Sequence, residues 1–184
     1  MKNFIVGCAI AFASVRYVLA AELVETCSLA DGAANVVEVT KDHPIADTEV
    51  YQIHYASKTE YFFDDEERSR GGPVKVVCVT GKKQRALVTY GEFTSNYNQG
   101  FLLIYNRLSH KIERLDFAEK GLPEWLYLGE KEVIVIVSTN GVGDNGAAPY
   151  VAYRLIKGKA EQPALESVDV PAPPAGYDVI KLKQ

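Results

Sequence analysis

The sequence predicts an all-β protein, with antiparallel sheets in a sandwich or an incomplete propeller-like arrangement and one disulfide. Three observations carry that prediction. Runs rich in β-branched and aromatic residues recur along the chain, among them VKVVCVT at 74–80, GFLLIYN at 100–106 and VIVIVS at 133–138. Turn-forming clusters separate the runs at about 8–12 residue intervals, the rhythm of sandwiches, barrels and propellers. Eleven Tyr against one Trp and one Met suit pleated, half-buried surfaces better than helices packed with Leu and Met.

The chain opens with a positively charged start (Met1-Lys2-Asn3), an apolar run over 4–13 (FIVGCAIAFA) and small residues before Ala21. That order is a secretory signal peptide over residues 1–20, with cleavage expected after Ala20 or one residue later. The apolar run is too short to cross a hydrocarbon core, and Arg16 interrupts its extension, so no membrane anchor is expected. Cys8 lies inside the run and not after the cleavage site, which speaks against a lipid anchor. Residues 21–184 are then a single exported β domain, periplasmic or extracellular. Signal removal takes away Cys8 and leaves Cys27 and Cys78, an even count for an oxidising compartment. Their expected disulfide closes a long loop and stabilises by about 4 kcal/mol in the chain-entropy model. It would tie an otherwise loose N-terminus to a strand. A nucleophilic or metal-binding cysteine is the alternative, and no CxxC spacing supports it.

After a short possible strand at 33–39, residues 49–55 (EVYQIHY) alternate, with Tyr51, Ile53 and Tyr55 on one face and Val50, Gln52 and His54 on the other. The charged run Asp64-Asp65-Glu66-Glu67-Arg68-Ser69-Arg70 and Gly71-Gly72-Pro73 read as a solvated loop and turn. Strands follow at 74–80, 85–93 and 100–106, the last two joined by a polar hairpin loop. Further strands are expected at 111–117, 125–128, 133–138 and 150–156. A glycine-rich loop of TNGVGDNGAAP (139–149) joins the last pair. Residues 160–167 would form at most a turn or two of helix, because Pro163 limits it. A Pro-rich linker near 170–176 precedes a final alternating strand at 177–182.

The composition excludes several function classes. With 47% hydrophobic and 24% charged residues, the chain is neither a disordered tail, a coiled coil nor collagen-like. A net charge of −4, more acidic once the signal leaves, argues against a nucleic-acid partner. His43, His54 and His110 fall in no metal-ligand spacing, and there is no GxSxG nucleophile elbow, so neither enzyme activity, metal nor cofactor is expected. The carboxylates at 64–67 would suit Ca²⁺ only if they converged, and Arg68 and Arg70 beside them favour a solvated loop or a basic partner. GVGDNG precedes a strand and not a helix, which leaves no helix N-terminus to hold a phosphate.

The hairpin loop Thr94, Ser95, Asn96, Tyr97, Asn98 and Gln99 is the candidate partner-binding site. It is uncharged, and each side chain donates or accepts hydrogen bonds while Tyr97 adds a flat ring. That mixture is the chemistry of adaptable binding loops. Together with Arg68-Ser69-Arg70-Gly71-Gly72, Glu92-Phe93 and Tyr105-Asn106, this loop resembles the periplasmic immunity proteins of type VI secretion, nearest those that neutralise peptidoglycan amidase effectors. The resemblance covers roughly residues 68–130. It implies a small, exported, disulfide-bearing protein of propeller-like sheets that inserts a Ser-containing hairpin into an amidase cleft, against a catalytic Cys/His pair. By position, Thr94, Ser95, Asn96 and Tyr97 would be the inserted tip. The sequence departs from the pattern in its bulkier Asn-Tyr-Asn tip and in having two mature cysteines, so a muramidase or lipase effector stays open as the target. The alternatives are a sensor or ligand-binding module whose groove uses Tyr51, Tyr55 and Trp125, and a host-lysozyme inhibitor.

Overall fold

A computed structural model describes residues 21–94, 97–139, 148–159, 164–169, 172–173 and 175–182. The expected signal peptide (1–20), Ser95 and Asn96 of the polar loop, residues 140–147 of the glycine-rich loop and part of the Pro-rich linker lie outside the described residues. The rest is all-β, in three antiparallel sheets.

The first sheet takes β1 (Glu22–Ser28), β2 (Val36–Ile45), β3 (Thr48–Tyr55) and β4 (Lys58–Tyr61) in order, with β5 (Arg70–Gly71) also pairing with β3. The second is the meander β6 (Val74–Thr80), β7 (Arg85–Glu92), β8 (Asn98–Asn106) and β9 (Lys111–Glu119). The third contains β10 (Pro123–Leu128), β11 (Glu132–Ser138), β12 (Tyr150–Ile156), β13 (Ala164–Val168) and β14 (Asp178–Lys181). Its spatial order is β13-β12-β11-β10-β14, so the last strand returns to the open edge of β10.

The second sheet is the middle layer, and its sequence says why. Ala86, Val88, Tyr90, Leu102 and Ile104 pack with Leu126, Val133, Val135 and Val137 of the third sheet. The alternate positions Leu87, Phe101 and Leu103 pack with Val37, Val39, Tyr51 and Ile53 of the first. Both faces of β7 and β8 are therefore buried, which is why the two strands read as continuous apolar runs without alternation. Cys27 of β1 and Cys78 of β6 form the expected disulfide, with Cα atoms 5.4 Å apart, and it fastens the first sheet to the second. Such bonds persist in oxidising compartments. Among the described residues no helix is long and apolar enough to cross a membrane.

The structure corrects several expectations. The segment after residue 20, expected to be loose without the disulfide, is a paired strand: β1 pairs with β2 from Glu22↔Lys41 to Ser28↔Val36, around a bulge between Leu23 and Glu25. The bulge resets the alternation, so the strand has no simple period. Residues 33–35 are a single 3₁₀ turn, and the strand begins at Val36. The segment after Pro163 is the strand β13 and not a helical turn, because the edge of β12 offers a ladder and Glu166 receives Arg154 across it. The charged excursion is solvated only in part. Ser69 is fully buried, its hydroxyl donating to the Phe63 carbonyl at 3.0 Å and accepting from the Phe63 amide at 2.8 Å. Gly71 and Arg70 then join β3, leaving 64–68 exposed.

Candidate functional site

The polar loop proves shorter than the sequence suggests. Asn98 and Gln99 belong to β8, opposite Glu92 and Gly91 of β7 and Glu119 and Ala118 of β9. The Asn98 amide also donates to the Lys120 carbonyl at 2.9 Å. Antiparallel pairing on both sides satisfies their backbone groups, so the ladder extends through two residues that composition alone assigns to a turn. The connection is left with Phe93 to Tyr97. Thr94 is exposed and Tyr97 is 46% exposed, while Ser95 and Asn96 lie outside the described residues.

Phe93 roots this hairpin. It is buried, with its ring 4.9 Å from Phe63 edge-to-face, 6.1 Å from Phe62 and 6.3 Å from Tyr51. Phe101 closes the cluster, 5.0 Å from Phe62. Edge-to-face pairs of this kind add to the burial energy and hold the base of the hairpin firmly.

Beside the hairpin lies an open cleft of about 1040 Å³. One wall is β4 and the segment after it, from Thr59 to Asp64, together with Arg68. Thr94 and Gln99 join it from the hairpin, Arg114, Asp116, Phe117 and Ala118 from β9, and Tyr153 from β12. All three sheets thus contribute. The candidate residues Thr94 and Gln99 line the cleft, and Tyr97 is exposed immediately before β8.

The polar groups of the cleft are fixed by one another. The Arg114 guanidinium lies 4.0 Å from the Phe101 ring centroid and donates at 2.6 Å to both the Phe62 carbonyl and Asp116 Oδ1. It thereby ties the second sheet to the first with a stacked, doubly bonded cation. Arg68 pairs with Asp64, and the Tyr55 hydroxyl donates to Glu60 at 2.9 Å. The Tyr153 hydroxyl donates to the Ala118 carbonyl at 2.8 Å and has Glu119 Oε1 at 3.0 Å, joining the third sheet to β9. Burial pushes the Tyr153 phenol up to about 12, and the nearby Glu119 charge adds to that.

The remaining chemical candidates lie apart. His54 sits between the hydroxyls of Thr40 and Thr59 at 2.8 and 2.9 Å, His43 against Asp42 at 2.9 Å, and His110 against the Tyr105 hydroxyl at 3.0 Å. Among the described residues no three His, Cys, Asp or Glu side chains are grouped to hold a metal ion. The aromatic groove of Tyr51, Tyr55 and Trp125 does not form. Tyr51 is buried between the first two sheets, whereas Trp125 packs with the separate apolar cluster of the third sheet. The aromatic residues that do line a cleft are Tyr61, Phe62, Phe63, Phe117 and Tyr153. Three of them are adjacent in the sequence, immediately before the acidic run, and that adjacency was the available signal.

No protein-family model, curated protein or solved structure matches this chain.

Proposed function

We propose that this is a periplasmic binding protein that inhibits a toxin or cell-wall hydrolase by occluding its active site with the β7–β8 hairpin. The resemblance to type VI immunity proteins points to a peptidoglycan amidase effector as the target class. One observation supports the reading above others: the uncharged β7–β8 connection starts from a base that Phe93 clamps in an aromatic cluster. A loop anchored on an ordered base has less conformational freedom to lose on entering a pocket. The cleft beside it is open, and its charged groups are already partnered within the wall. Such a surface suits receiving the rim of another protein better than seizing a small polar molecule.

The cleft also supports a second reading, a module that binds a glycan or other extended ligand across Tyr61 and Phe63, with Phe62 buried behind them. The two are separated by variants in different places. In the inhibitor reading, Ser95→Arg weakens calorimetric binding to the peptidoglycan amidase effector by about 30-fold or more and leaves the melting temperature nearly unchanged. Substitution at Tyr61 then has the smaller effect. Undiminished affinity in Ser95→Arg removes the tip from the account. Point variants are the right probes, because deletion through Asn98 would cut into the β8 ladder.

A further inference from the structure

At the opposite end of the second sheet from the hairpin is another cavity, of about 530 Å³. It lies among the segment from Leu29 to Asn35, the β6–β7 turn and the end of β8. Four cations line it, Lys82, Lys83, Arg85 and Arg107, against the single carboxylate of Asp31. In a chain of net charge −4 this is a concentration of the minority sign.

The turn carrying these cations is braced. The Gly81 amide donates to the Gln84 carbonyl at 2.9 Å, and the Lys82 amide donates to Asp178 of β14 at 2.6 Å, which takes up that carboxylate. The Gln84 side chain donates to the Gly129 carbonyl at 3.1 Å and accepts from Lys157 at 2.6 Å. Arg85 is held by the Ser28 carbonyl at 3.2 Å and Arg107 by the Lys83 carbonyl at 3.0 Å. Each bond occupies one of the five guanidinium N–H donors and leaves the others for a ligand. Among the described residues the Lys82 and Lys83 ammonium groups take part in no hydrogen bond or ion pair.

We propose that this cavity binds a multiply charged phosphate-type anion, such as a diphosphate or the phosphate of a sugar or lipid headgroup. Four cations against the carboxylate of Asp31, with Asp178 behind the turn, leave a positive surplus that a monocarboxylate does not match. The guanidinium fork suits phosphate oxygens, and lysine adds mobile point charges. The volume is that of a small-molecule site, about 300–1,000 Å³. The site is independent of the hairpin, since Arg85 begins β7 and Glu92 ends it.

The test is a titration of the protein with inorganic pyrophosphate, followed by amide chemical shifts. Saturable shifts confined to residues 81–85 and 107, weakened by added salt, are the expected result. The Lys82→Gln/Lys83→Gln variant touches no side-chain bond of the fold and should bind about tenfold or more weakly at an unchanged melting temperature. Absence of saturation, shifts centred elsewhere, or equal binding by the variant overturns the site. Vesicles with and without phosphatidylglycerol distinguish the sources. Flotation with the anionic vesicles that pyrophosphate competes away assigns a lipid headgroup, and pyrophosphate binding without flotation assigns a soluble phosphate.

Discussion

Ala56 and Ser57 make the two-residue turn between β3 and β4 with φ of 47° and 65°, a left-handed pair with neither Gly nor Asn. Such turns are favourable with Asn-Gly, because a Cβ is disfavoured there. The double variant Ala56→Asn/Ser57→Gly should therefore raise stability by about 1 kcal/mol, read as a higher melting temperature; an unchanged or lower one contradicts the turn. Tyr153 gives a second residue-scale prediction. Its phenol is raised from 10 to about 12 by burial, so the folded state holds the neutral form more tightly than the unfolded state does. That contribution is complete below pH 10 and is lost as pH climbs from 10 toward 12. Urea melts across that range should lose stability steeply, and Tyr153→Phe should flatten the loss. Equal slopes would place the phenol in contact with solvent.

At the scale of elements, the strands that bury a face or two were legible. β6 and β12 fall where the β-branched and aromatic runs lie, and β7 and β11 differ from the reading by a residue at one end. The missed strands β1, β4, β5 and β13 all lie at the margins of their sheets. Glu22, Lys58 and Glu166 face water there, and the strands exist because a neighbour offers a ladder, which no local period records. The same reason shortened the candidate loop, whose last two residues were taken into β8. Hairpin position and cleft wall meet at Gly100. A Cβ there would stand 2.2 Å from the Thr89 carbonyl oxygen and 2.6 Å from the Phe117 ring. Gly100→Ala should destabilise by about 1–3 kcal/mol and displace Phe117 from the cleft, visible as a lower denaturant midpoint. A neutral result would mean that β7 and β8 adjust without strain.

For the molecule as a whole, three stacked sheets join through the middle one, and the disulfide adds a covalent tie between the first and second. Reduction should cost up to about 4 kcal/mol in the chain-entropy model, with a lower denaturant midpoint in dithiothreitol; insensitivity would show that packing alone holds the first sheet. The all-β antiparallel class and the disulfide could be inferred from runs and cysteine count, whereas the number of sheets and their stacking could not. The cleft could not, because its lining comes from β4, β8, β9 and β12, segments brought together only by the stacking. The functional account rests on the rigid stack presenting the β7–β8 tip to another enzyme. Its most direct test is the activity of a peptidoglycan amidase effector, assayed on peptidoglycan while the protein without its expected signal peptide is titrated in. The account predicts loss of turnover at one equivalent and its return with Ser95→Arg. A hydrolase that stays active in a saturated complex, or is inhibited equally by the variant, would contradict it.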